Sequence, residues 1–128
     1  MNSLAEWLTS CGSYVGSNLS YTMGTNMFLG FMPEKPLNCV SLIANGGPRI
    51  DGSPVEFSAL QIIVRDTDLY NGMTAVSSIH RLFDDRWCVL SPTYTGRFMA
   101  DHEPGIHILD ENGHVNYSLN YTFTRMRR

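Results

Sequence analysis

Asp101, His102, Glu103, His107 and His114 bring three imidazoles and two carboxylates into one short stretch. Such side chains can ligate a metal or move protons. Their spacing matches no structural or catalytic zinc pattern, so they read as solvated loop residues. Asp110-Glu111-Asn112-Gly113 resembles the start of a calcium loop. The twelfth position, where a bidentate Glu belongs, falls on Tyr121, so a turn is the simpler reading. Cys88, beside Trp87 in an apolar run, has no assignable base and reads as a packing residue. His80 falls on or beside the apolar stripe of a predicted helix and reads as a hydrogen-bonded residue at the core edge. Asn116-Tyr117-Ser118 and Asn120-Tyr121-Thr122 match glycosylation sequons, but both lie in a predicted strand. No GxSxG, GxGxxG, Walker A loop or HExxH occurs, so the enzyme classes those motifs mark have no support. No catalytic residue, cofactor or metal is expected.

The elements that would position a site follow from pattern. Ser3-Leu4-Ala5-Glu6 reads as a capping box, and Leu4, Leu8, Cys11 and Val15 then recur on one helical face. Gly12 and Gly16 are expected to end that helix. Residues 26–32 and 37–44 read as strands around a Pro33–Pro36 turn. Residues 45–54 hold three Gly and two Pro in ten positions and read as a loop or extended arm. Residues 57–65 are apolar on both faces from Leu60 to Val64, the mark of a central strand. Asp66 and Asp68 offer caps for a second helix with a stripe of Leu69, Met73, Val76, Ile79 or His80, and Phe83. Residues 86–92 and 95–100 read as strands around a turn, and 101–109 as irregular, then extended. In 115–123, Val115, Tyr117, Leu119, Tyr121 and Phe123 alternate with Asn116, Ser118, Asn120 and Thr122, predicting a half-buried antiparallel strand. The order helix, strands, helix, strands predicts an α+β fold in one domain over residues 1–128: one mostly antiparallel or mixed sheet with two helices packed on it.

Composition narrows the function classes. The 128 residues carry nine basic and twelve acidic side chains, a formal charge of −3, which argues against a basic nucleic-acid binder. Charged residues are 16%, and Lys35 is the single Lys. Both fit a surface covered by partners, since Lys is depleted from interfaces. No apolar run is long enough to span a bilayer, and the first ten residues lack the basic region of a secretory signal. Three scattered cysteines, Cys11, Cys39 and Cys88, fit a reducing compartment better than a disulfide framework.

Several segments, in order, resemble the tail terminator or minor capsid proteins of long-tailed bacteriophages. They are NMFLGFMPEKPLNCVSL (26–42), NGGPRIDG (45–52), FSALQIIVRDTD (57–68), GRFMADHEPG (96–105) and DENGHVNYSLNYTFTRMR (110–127). The second helix carries fewer charges than the resemblance implies. The resemblance implies a cofactor-free structural protein that forms a hexameric ring, caps the head-proximal end of the tail tube, stops its growth and offers the head-joining surface. Implied partners are copies of itself, the tail tube protein and a head-completion or neck protein. DNA would pass through the lumen without specific binding, and no membrane is involved. The implied place is the tail–neck junction of the virion, after assembly in the bacterial cytoplasm. On this reading Arg49, Asp51 and, in a small basic C-terminal tail, Arg125 and Arg127 are the candidate interface residues, and Asp51, Glu56, Asp101 and Glu103, all expected on loops, the candidate lumen lining. The rivals are another neck component, an enzyme drawing on His102, His107 or Cys88, and a monomeric binding domain.

Overall fold

The alternating segment near the C-terminus is the spine of the sheet. In the computed structural model, which describes residues 3–19, 21–35, 38–49, 55–84, 86–89, 95–101, 105–107 and 115–126, it forms β7 (Val115–Met126). Its five alternating apolar side chains are all buried. Along one edge β7 pairs antiparallel with the whole of β3 (Val55–Asp66), from Asp66↔Val115 to Val55↔Met126. Along the other it meets β5 (Thr95–Ala100) and then β6 (Gly105–His107), also antiparallel. Beyond β3 lies antiparallel β2 (Cys39–Arg49), and beyond that the short parallel β1 (Met27–Leu29). β4 (Arg86–Val89) pairs with β5 and ends the other side. The strand order is β1-β2-β3-β7-β5-β4, with β6 in line with β5. The α+β class and the mixed sheet are as the sequence predicts.

Two helices, α1 (Ser3–Leu19) and α2 (Leu69–Phe83), cover one face of this sheet. Val40, Leu42, Leu60, Ile62, Val64, Tyr117, Leu119, Tyr121, Phe123 and Phe98 line that face in register and meet Trp7, Cys11 and Val15 of α1 and Val76, Ile79 and Phe83 of α2. Aromatic rings make the centre of the core. Phe98 lies 4.6 Å from Phe123 and 4.8 Å from Phe83 between centroids, and Trp7 lies 5.6 Å from Phe123. Tilted and edge-on pairs of this kind add to the burial of their area.

The structure departs from the sequence reading in four places. The helix α1 passes through Gly12 and Gly16 to Leu19. Gly12 is a point of close approach: a Cβ there would stand 2.9 Å from Met23 Cε and 3.0 Å from Leu29 Cδ2. The buried line of α1 is Trp7–Cys11–Val15, with Leu8 half-buried at its margin. The side chain of Leu4 lies outside the described residues.

In α2 the buried stripe is Gly72, Val76, Ile79 and Phe83, while Leu69 and Met73 are half exposed, at 51% and 52%. Gly72 explains the shift. A Cβ there would collide with the Tyr117 ring, so the backbone, rather than a Met73 side chain, faces the sheet. The N-cap is Asp68, whose carboxylate accepts from the Tyr70 and Asn71 amides.

The Gly/Pro-rich stretch is no loop over its first half. β2 runs on through Asn45, Gly46, Gly47 and Pro48 to Arg49, with a register shift between Gly46 and Arg49. An irregularity is one of the few places where a strand accommodates Pro. Residues 50–54 lie outside the described set.

Finally, Arg125 belongs to β7, not to a basic tail, and Glu56 to β3, not to a loop. Arg127 lies outside the described residues.

Candidate interaction surface

The face of the sheet that the helices leave uncovered carries Phe28, Ser41, Ile43, Gln61, Ile63, Arg65, Trp87, Arg97, Met99, Asn116, Ser118, Asn120 and Thr122 by strand alternation. At its β1–β2 side, residues 30–35 cross over it and are tied down. Ser41 Oγ donates to the Phe31 carbonyl, and Arg65 donates to the Glu34 carbonyl at 3.2 Å. Cys39 Sγ lies 3.3 Å from Met32 Sδ. This strap buries Ser41, Cys39 and Arg65. Burial pushes the Cys39 thiol up, against the opposing pull of the adjacent Arg65 guanidinium, so it is a poor nucleophile. Phe31 rides on the strap, 55% exposed, with its ring 5.6 Å from Phe28. At the opposite edge Trp87 is 61% exposed and Met99 is half exposed. Polar, nearly uncharged β7 side chains lie between. Asp101, exposed at the end of β5, accepts from the Thr122 hydroxyl at 2.7 Å.

Among the described residues, an arrangement that looks like catalytic machinery is structural. His80 Nδ1 lies 2.7 Å from the Tyr121 hydroxyl, and Nε2 lies 3.4 Å from Asp84 Oδ2. With its proton on Nε2, the ring donates to Asp84 and accepts from Tyr121. Tyr121 is fully buried, so no substrate reaches its oxygen. Burial, reinforced by the Asp84 charge, pushes the phenol well up and keeps it protonated. The trio pins the end of α2 to β7, as expected for a hydrogen-bonded core-edge histidine.

A shallow cavity of about 150 Å³ lies between the α1–β1 connection and α2, lined by Tyr21, Asn26, Asn38, Cys39, Val64, Asp66 and others. Its two amide oxygens are already used. Asn26 Oδ1 accepts from Thr22 N and Asn38 Oδ1 from Thr67 N. Burial first, then the Asp66 charge, raises the Tyr21 phenol. Among the described residues no three His, Cys, Asp or Glu side chains group as a metal site. His102, Glu103, His114 and Asp110–Gly113 lie outside them, as does the side chain of Cys88. Among the described residues no helix is long and apolar enough to cross a membrane.

Of the residues singled out in the sequence, Arg49, Glu56 and Arg125 fall in one register row: Arg49↔Glu56 across β2–β3 and Glu56↔Arg125 across β3–β7. Candidate interface and candidate lumen residues are thus neighbours on adjacent strands. Asp51 and Glu103 lie outside the described residues. Missed were Phe31, Trp87 and Met99. Alternation signals which face such residues share, but only the packing shows that neither helix lies on that face.

The comparisons agree with this architecture. A chain from the virion of a native gene transfer agent (GTA) particle shares the fold with a TM-score of 0.55 and 13% identity, over 88% of this chain and 84% of that one. No curated protein matches the sequence. The sequence model for the bacteriophage tail terminator protein matches residues 14–127, nearly the full length. With that match over nearly all of the α+β fold described above, the chain belongs to the bacteriophage tail terminator protein family and is a structural protein of a phage-type tail.

Proposed function

We propose that this chain forms a ring, six copies in number, that caps the head-proximal end of the tail tube, ends tube polymerisation and presents the surface to which the DNA-filled head joins. The observation that carries the reading is the family match over residues 14–127. The uncovered sheet face supports it, because a protein acting by surface complementarity needs no catalytic cluster and exposes apolar side chains where partners dock.

Size is compatible. A chain of this length has a radius of gyration of ~14 Å and an equivalent sphere radius of ~18 Å, so six touching copies leave a hole ~36 Å across, wider than a ~20 Å duplex. Each copy carries −3, so duplex DNA passes a ring of net negative charge without being gripped. Asp51, Glu56, Asp101 and Glu103 are proposed for the lumen and Arg49, Asp51, Arg125 and Arg127 for contacts. The partners are copies of the chain, the tube subunit and a neck protein, assembled in the host cytoplasm.

The test is electron microscopy of particles from a phage whose copy of this gene is interrupted. Tubes of uncontrolled length with unjoined heads, restored to one length by the intact gene, are the expected result. Tails of normal, uniform length that merely fail to meet heads would overturn the capping role and point to another neck component.

A further inference from the structure

The sheet ends in two unlike edges, and each presents backbone that no described strand takes up. On one side, Val40 N donates to Asn26 O at 2.9 Å and Leu42 O accepts from Gly30 N at 2.8 Å. Backbone groups alternate sides along a strand. The N–H and C=O of Ala44 and Gly46 therefore point the same way, beyond the end of β1, where no described strand meets them. On the other side the outer edge of β4 is unpaired among the described residues. Soluble proteins blunt such edges with charge. β2 carries no charged residue from Cys39 to Pro48. A second observation comes from the side chains. Trp87 stands exposed at the β4 edge, and Phe31 with Phe28 stands at the β1–β2 edge, on the same uncovered face.

We propose that β4 of one copy pairs with the Ile43–Gly46 edge of β2 in the next copy, so that Trp87 packs against Phe28, Phe31 and Ile43 of that neighbour. The inference rests on the ring reading above and names the surfaces that build the ring. Strand directions allow it. β2 and β7 both run antiparallel to β3, and β4 and β7 both run antiparallel to β5, so β2 and β4 point the same way. Copies related by rotation about an axis to which the strands are tilted then join as a parallel pair and keep the uncovered face on one side. Each copy uses two different edges, once each, which is the heterologous contact that closes into a ring. Within one copy β4 is level with Gly46–Arg49 through the row Gly46, Ser58, Phe123, Phe98, Arg86. Meeting Ile43–Gly46 takes a stagger of about three residues, of the kind closed sheets require.

The experiment replaces Trp87 with benzoylphenylalanine in the full chain, assembles tails from a mixture of isotopically light and heavy copies, irradiates them and maps the adducts by mass spectrometry. Mixed-isotope adducts joining position 87 to residues 28–46 are expected. Adducts from position 87 to position 87, to residues 69–73, or to another virion protein overturn the inference, as does the absence of any adduct between copies from position 87. The number of copies per tail, counted in the same preparation, separates the two readings: several copies with adducts elsewhere leave the ring standing, and a single copy removes it. A second readout uses Ile43→Lys, which places charge on a half-exposed edge position, against Ser13→Lys on the exposed side of α1. Both should keep the wild-type circular dichroism spectrum, while the first lowers incorporation into tails about tenfold. Equal incorporation of a folded Ile43→Lys protein would also overturn the pairing.

Discussion

Tyr121 is the side chain on which helix and sheet are joined: its ring packs against Phe83 at 5.4 Å, and its hydroxyl meets His80. Because burial disfavours the phenolate, the folded-state value is raised above the ordinary 10.0, and Tyr21 and Tyr117 shift the same way. The folded protein thus holds its phenolic protons more tightly than the unfolded chain. The stability linked to them is fully present below pH 10 and is lost as pH rises through the folded-state values. Urea midpoints should therefore fall from pH 9 to pH 11, and Tyr121→Phe should fall less steeply over that range. An identical slope in both proteins would remove Tyr121 from the account. The pairing of His80 with a core-edge partner was legible in its position on the α2 stripe. The partner was not, because Tyr121 is 41 residues away and only the sheet register brings it there.

At the scale of elements, β7 and β3 were readable because strand patterning is local: alternation marks a half-covered strand, and an unbroken apolar run marks a central one. The helices were harder. In α2 the spacing of Leu69 and Met73 satisfies helical periodicity, yet the helix seats itself by backbone contact at Gly72. Tyr117 is locked beneath it, buried and with its hydroxyl donating to the Leu69 carbonyl at 2.9 Å. Gly72→Ala should consequently destabilise the protein by about 1–3 kcal/mol, despite the higher helix propensity of Ala, because overpacking against a fixed ring outweighs that gain. Denaturant unfolding of Gly72→Ala with and without Tyr117→Leu checks this. Relief of most of the loss in the double variant is expected. The strand extension through Asn45–Arg49 was hidden for a related reason: Gly and Pro report what a residue tolerates alone, whereas β3 supplies the pairing partners that hold it extended.

For the molecule as a whole, strand order sets where stability resides. β3 and β7 are flanked on both edges and roofed by α2, while β1 and β4 are three- and four-residue strands at the ends. Hydrogen exchange should find the slowest amides in β3 and β7 and the fastest strand amides in β1 and β4. Amides of β4 outlasting those of β7 would contradict that ranking. The candidate surface was the least legible part, since it is defined by what the helices leave bare. Arg49, Glu56 and Arg125 looked like independent loop and tail charges in the sequence, and only the register gathers them into one row.

The fastening of residues 30–35 has a consequence for how the surface can change over evolution. Ser41 and Arg65 grip main-chain carbonyls, at Phe31 and Glu34, rather than side chains. A carbonyl is present whatever residue occupies the position. The anchor is thereby uncoupled from the display: Glu34 and Lys35, both exposed, are free to diverge while the segment keeps its path. A lineage meeting a new binding partner could rewrite those two letters without rebuilding the scaffold beneath them.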